Sequence, residues 1–226
     1  MNSTGFEISF HKRLQGQGRH FELDIQFSST APRTVIHGPS GAGKTLCLQA
    51  IAGLLLPDSG RIVFAGQPLF DSSAGLALPA RARGFGYLFQ DYALFPHLNV
   101  RQNIAFGLRR GLFNPPRAAS EASVEHWLQA FELQPVAGLK PAQLSGGQRQ
   151  RTALARALAP QPRALLLDEP FAALDSALRE RLREELAELL DRLAIPVLLI
   201  SHDEQDLLRF GQQRLLLREG RIVEVG

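Results

Sequence analysis

A single cysteine, Cys47, in 226 residues excludes an intramolecular disulfide and fits a reducing compartment. Long apolar runs are missing as well. The longer ones, such as 164–167 and 196–200, fall far short of the roughly 20 residues that span a bilayer. The opening stretch MNSTGFEISFHKRL has no apolar core of signal-peptide length. The chain is therefore expected to be soluble by itself, and work at a membrane would need another protein to hold it there. Internal repeats and low-complexity linkers are also lacking. What remains is an ordinary globular composition, 45% apolar and 21% charged, enough for one generous domain or a domain with an inserted lobe. A formal charge of +3 is compatible with nucleic acid, a membrane surface or a phosphorylated ligand, but reads first as a solvated surface.

Alternation of apolar and polar residues over 6–10 and 20–27 predicts two strands joined by a turn at 15–18. A short strand at 34–37 runs into a glycine-rich turn. A helix follows over 46–56, stopped by PDSG at 57–60. Further strands are expected at 61–64 and 84–89. Between about 91 and 160 the pattern turns to helices broken at 111–116 and 139–141, which reads as an inserted helical lobe. Tight alternation then returns, with a buried strand at 164–167, a helix at 176–193 and a buried strand at 197–200. Leu178, Leu182, Leu186, Leu189, Leu190 and Leu193 recur at helical spacing opposite a charged face. The segments 214–218 and 221–225 about Gly220 read as a hairpin.

Short apolar strands alternating with helices predict a mostly parallel sheet covered on both faces. The expected class is α/β within one domain, 1–226. Its core spans about 1–90 and 161–226, with an N-terminal antiparallel β part, and its helical subdomain spans about 91–160.

GPSGAGKT at 38–45 matches the phosphate-binding loop pattern. Gly38, Pro39, Ser40, Gly41, Ala42 and Gly43 can turn successive backbone N–H groups around an anion, at the positive end of a helix starting near Lys44. Lys44 can reach the β- and γ-phosphates, and Thr45 can ligate Mg²⁺. Average residue frequencies give roughly a one-in-a-hundred chance of this match in a chain of this length. In ALLLDEP at 164–170, Asp168 stands at a strand tip, placed to hold Mg²⁺, and Glu169 can orient and deprotonate an attacking water. Alone, such a pair reads as a loop capping a helix; the phosphate loop reverses that preference. His202 follows a neighbouring strand and is expected to contact the γ-phosphate. Gln90, after another strand, can reach Mg²⁺ or the water and report their presence to the helical lobe. The segment 91–96 shows an exposed-looking aromatic pair, Tyr92 and Phe95, beside Pro96.

LSGGQRQR at 144–151 offers no good nucleophile, metal-ligand cluster or packing face. Two adjacent glycines weaken a regular element, so something should need bare backbone there. Together with GPSGAGKT, FQ at 89–90, LLLDEP, ALD at 173–175 and SH at 201–202, in that order, it makes the chain resemble ATP-binding cassette (ABC) transporter ATPases over essentially its whole length. LSGGQ is the most specific element, expected by chance in well under about one chain in a thousand.

The resemblance implies a P-loop NTPase core that uses ATP with Mg²⁺ as cofactor. It also implies that Leu144, Ser145, Gly146, Gly147 and Gln148 meet the γ-phosphate of ATP held by a second copy, with Asp175 bridging the two sites of the homodimer. GYLFQDYALFPHLNVRQNIAFGL at 86–108 is similar to the importer branch, and within it to molybdate and related oxyanion importers. The turn at 57–61 and the residues around Phe70, Asp71, Leu78 and Pro79 agree with this. That similarity implies a permease partner docking near 91–96, indirectly a periplasmic solute-binding protein, a place on the cytoplasmic face of the inner membrane, and no nucleic acid.

Rival readings are a soluble switch acting on nucleic acid or ribosomes, an exporter subunit, and an importer ATPase for iron, polyamine or sulfate. Such switches usually carry two cassettes or a long coiled-coil insertion, and exporter cassettes are often fused to membrane helices. Two departures stand out. No C-terminal regulatory β domain is expected, and the adenine-stacking aromatic must come from HKRLQGQGRHF at 11–21, where His11, His20 and Phe21 are candidates and Phe21 is preferred.

Overall fold

A computed structural model of the chain describes residues 5–16, 19–108, 114–119, 121–172 and 174–226. The expected turn residues Gln17 and Gly18, the break residues 111–113, and Ala173 lie outside them. Strands β1 (Phe6–Gly16) and β2 (Arg19–Ser29) run longer than their clean alternation, because the antiparallel ladder continues from Phe6 against Ser29 to Gly16 against Arg19. β3 (Arg33–His37) then leads through the glycine loop into α1 (Lys44–Ala52). That helix ends at Ala52 rather than Leu56. Gly53 takes the left-handed φ of 81°, and its N–H and that of Leu54 close on the Ala50 and Gln49 carbonyls. Leu54 and Leu56, which had extended the apolar pattern, are exposed.

β4 (Ser59–Phe64), β5 (Gln67–Asp71) and β6 (Leu76–Ala77) extend the antiparallel part, and a single turn, α2 (Ala80–Arg83), precedes β7 (Phe85–Leu88). Next come α3 (Val100–Phe106), α4 (Ala122–Ala130) and α5 (Gly146–Leu158), with no strand among the described residues between β7 and β8. The chain closes with β8 (Ala164–Asp168), α6 (Ser176–Leu193), β9 (Val197–Ile200), α7 (Glu204–Phe210), and the hairpin β10 (Gln213–Arg218) and β11 (Arg221–Val225).

These strands form one sheet in the order β6-β5-β4-β1-β2-β11-β10-β3-β9-β8-β7. Its β10-β3-β9-β8-β7 part is parallel throughout. Leu165 and Leu167 of β8 face one apolar cluster with α3 to α7, while Ala164 and Leu166 face another with α1 and the antiparallel strands. Burial on both faces explains why ALLL reads as a continuous apolar run.

The register decides where the strand tips lie. Ile36 pairs with Ile200, and Ile200 with Asp168, so the turns after β3, β9 and β8 open at one edge. Tyr92 departs from expectation, being 4% exposed, whereas Phe95 is half-buried. Tyr92 and Ala93 both adopt left-handed φ, 64° and 42°, and Arg156 of α5 donates to both their carbonyls, which ties this turn against the helix with the Tyr92 ring in the core.

Candidate functional site

Three glycines of the loop after β3, Gly38, Gly41 and Gly43, have φ of 147°, 78° and 100°, values that L side chains rarely adopt. At Gly43 space also forbids a side chain, since a Cβ would lie 2.7 Å from Leu23 and 2.9 Å from Phe21. No side chain caps the first turn of α1. Its unpaired N–H groups and positive dipole end suit an anion. Lys44 is 7% exposed, and its Nζ donates to the Gly38 and Pro39 carbonyls at 2.9 and 3.0 Å, placing the ammonium within the loop.

Beneath the loop, Thr45 Oγ1 donates to Asp168 Oδ1 at 3.1 Å and Tyr87 Oη donates to Oδ2 at 3.3 Å. Burial pushes the Asp168 carboxyl above its ordinary range, against the pull of these two hydrogen bonds. The Tyr87 phenol is also raised, by burial first and then by the neighbouring carboxylate. Glu169 follows with φ 44°, a conformation costing on the order of 1–3 kcal/mol for a non-glycine residue. Its N–H is anchored on the Ile200 carbonyl at 3.0 Å, and its Oε1 meets His202 Nδ1 at 3.1 Å.

A cleft of about 650 Å³ gathers these groups. Gly38, Pro39, Ser40, Gly41, Gly43, Lys44 and Thr45 line it together with Gln90, Glu169 and His202. Asp168 is reached through Thr45, and Ala42 is buried and faces a neighbouring cleft of about 880 Å³. That second cleft shares Pro39, Ser40 and Gly41 with the first and is lined by Phe21 and His20, while His11 lines neither.

Residues 144–148 are not among the residues lining either cleft. Ser145 caps α5 in a reciprocal pair, its Oγ accepting from the Gln148 N–H at 3.2 Å and its own N–H donating to Gln148 Oε1 at 3.0 Å. Leu144 is buried. A Cβ on Gly146 would stand 3.3 Å from Leu174, and one on Gly147 3.2 Å from Leu178. Asp175 is exposed and caps α6, accepting from the Leu178 N–H at 3.0 Å.

For a metal, the hydroxyl of Thr45, the carboxylate of Asp168 and the amide oxygen of Gln90 offer hard oxygen donors, a set that fits Mg²⁺. No group of three or more His, Cys, Asp or Glu suited to a metal occurs among the described residues, so water or other oxygen ligands would have to complete the coordination. Two features are not legible in the sequence alone. Tyr87 stands on the strand paired with β8, and placing it against Asp168 required that pairing. Arg183 and Asp206, both buried, pair behind His202 at 2.6 Å. No helix among the described residues is long and apolar enough to cross a membrane.

The family profile for ABC transporters matches residues 23–172. A sulfate/thiosulfate import ATP-binding protein of Caulobacter vibrioides is 47% identical over 84% of this chain and 55% of its own length. An Fe(3+) ions import ATP-binding protein of Serratia marcescens is 44% identical over 92% and 57%, and a molybdenum import ATP-binding protein of Mycobacterium tuberculosis 44% over 90% and 56%. The chain thus spans little more than half the length of these relatives. Among solved structures, a dimeric ATP-binding cassette in a post-hydrolysis state with ADP and Pi superposes with a TM-score of 0.77 at 28% identity, covering 98% of this chain and 97% of that one. The motif order, the shared fold and a profile match across most of its length lead to one conclusion: this chain belongs to the ABC transporter family.

Proposed function

We propose that the chain is the ATP-hydrolysing subunit of a solute importer, working as a homodimer under a membrane permease. One observation carries the reading: the cleft gathers the phosphate loop, Gln90, Glu169 and His202, yet residues 144–148 stand outside it. A site equipped in this way is completed by the signature turn of a second copy. Similarity to a dimeric cassette bound to ADP and Pi supports the two-copy assembly.

In this reading residues 38–45 bind the phosphates by backbone N–H groups, and Lys44 leaves its loop carbonyls for the β- and γ-phosphate oxygens. Thr45, Asp168 and Gln90 would hold Mg²⁺, which neutralises charge on the phosphate oxygens when bound. Glu169 orients the attacking water and takes its proton, while His202 contacts the γ-phosphate. Ser145, Gly146, Gly147 and Gln148 of the second copy, with Leu144 seating their turn, close the site, and Asp175 bridges the two sites. Phe21 stacks on adenine in the adjoining cleft.

The segments 1–90 and 161–226 serve as the catalytic core and 91–160 as the helical subdomain. A groove of about 280 Å³ lined by Phe89, Phe95, Phe106 and Arg156 receives the permease; buried Tyr92 takes no direct part. We place the complex at the cytoplasmic face of the membrane, fed by a solute-binding protein and independent of nucleic acid. Molybdate or a related oxyanion is the proposed cargo, supported by the molybdenum and sulfate importers among the relatives. Iron importers match equally well, so uptake of labelled molybdate against iron by cells lacking this gene decides the solute.

The central test is Glu169→Gln. It should bind ATP as the wild type does, lose about 10²–10⁴-fold in turnover, and form a two-fold dimer with ATP. Monomers throughout, with activity per subunit constant on dilution, would refute the shared site.

A further inference from the structure

Beside His202 lies a buried to half-buried set of charges that takes no part in the scheme above. Arg183, 5% exposed within α6, donates from Nε to Asp206 Oδ1 at 2.6 Å, and its Nη2 stands 2.6 Å from Asp203 Oδ2. Asp206, 2% exposed on α7, accepts at its second oxygen from Ser201 Oγ at 2.5 Å. Ser201 Oγ also accepts the Asp203 N–H at 3.0 Å. One turn earlier on α6, Arg179 reaches Asp203 at 3.5 Å and the Leu174 carbonyl at 2.9 Å. The Arg183 guanidinium lies 5.7 Å from the centre of the Phe171 ring.

Desolvating these charges is costly, and well-packed apolar side chains of similar volume commonly serve stability as well. What the cluster specifies is geometry. Ser201 precedes His202 and is tied to Asp206 of α7, and Asp203 follows it and is tied to Arg183 of α6 and to the first turn of α7. The His202 side chain itself is 63% exposed, with its Nδ1 3.1 Å from Glu169. An exposed imidazole on an untethered loop would sample many orientations, whereas here the backbone on each side of it is fixed.

We infer that Arg183, Asp206 and Ser201 are positioning residues that hold the His202 loop so that its imidazole stands against Glu169. None of the three lines the phosphate cleft. The inference rests on the proposed roles of Glu169 and His202.

The test measures steady-state ATP hydrolysis by the full chain as wild type, Ser201→Ala, Asp206→Asn and His202→Ala, and as each cluster variant combined with His202→Ala. Binding of a fluorescent ATP analogue is followed in parallel. Misplacement by about 1 Å can cost on the order of 10²-fold, so each cluster variant should lose about 10- to 100-fold in kcat, with KM and analogue affinity unchanged. On the His202→Ala background neither should lower kcat further, because the group they position is gone. An equal loss on both backgrounds, or wild-type kcat in the folded cluster variants, overturns the inference and leaves the wider reading standing. Wild-type kcat in His202→Ala, where the cluster is intact, overturns the role of His202 and the inference together. Should Asp206→Asn not fold, Ser201→Ala, which retains the ion pair, decides alone.

Discussion

Two glycine-rich turns each open a helix in this chain, 38–45 into α1 and 144–148 into α5, and they need glycine for different reasons. In the first, Gly38, Gly41 and Gly43 take backbone angles that side chains resist, and no side chain caps the helix. In the second, neither glycine has a positive φ, Ser145 and Gln148 cap the helix reciprocally, and Gly146 and Gly147 make room for Leu174 and Leu178. The first turn leaves the N–H groups of α1 without a side-chain acceptor. The second is satisfied within its own chain, so a ligand reaching it must compete with an existing cap. Similar composition thus conceals two arrangements, one without a side-chain cap and one capped from within its own chain.

The largest effect that bears on this contrast is expected from Lys44→Ala. Removing the ammonium from the open turn should weaken nucleotide binding by about 2–5 kcal/mol, read by equilibrium titration with a labelled ATP analogue. Wild-type affinity would mean that residues 38–45 do not seat the phosphates.

Next is complementation between the turns. Lys44→Ala and Ser145→Arg subunits should each be inactive, and mixing them should restore one working site per mixed dimer. No recovery, despite mixed dimers detected by cross-linking, would show that the turns do not share a site or that both sites must fire together.

Smaller again is Ser145→Ala, which removes a cap worth about 1 kcal/mol and should lower Tm by about 2–4 °C. If the serine also meets phosphate in a partner's site, hydrolysis well below Tm falls while ATP binding to the single chain does not. Hydrolysis unchanged at that temperature would confine Ser145 to capping.

The smallest effect concerns Cys47 in the first turn of α1. Helix N-termini lower thiol pKa elsewhere, but full burial pushes this thiol up to about 12, so desolvation wins. Iodoacetamide at pH 8 should leave native Cys47 unmodified and label it only in denaturant. Rapid native labelling would mean that this face of α1 is open.

Several elements were readable before any tertiary contact was known. The helix at Ser176–Leu193 and the strand at Val197–Ile200 match their leucine spacing and apolar run, because both signals are local and strong. The apolar pattern overruns α1 because apolar residues continue past Gly53, where the left-handed glycine ends the helix regardless of hydrophobicity. The burial of Tyr92 is not legible locally, because it depends on a positive φ and on Arg156, which is far along the chain. In LSGGQ, a capping box was present in the Ser145–Gln148 spacing but was overshadowed by the glycines.

The amino-acid order alone determined the features that act over a few residues: a glycine-rich turn, carboxylates at the end of an apolar strand, the leucine face of α6 and the alternation of strand and helix. Only the tertiary structure decided which of these meet. The order β3-β9-β8-β7 brings residues 38–45, 90, 169 and 202 to one edge, sets Tyr87 against Asp168, and seats Arg183 on Asp206. Local periodicity carries no information about strand order. That order is settled when long-range pairing and two-sided burial outweigh the entropy of closing the intervening chain, a balance no short window of sequence contains.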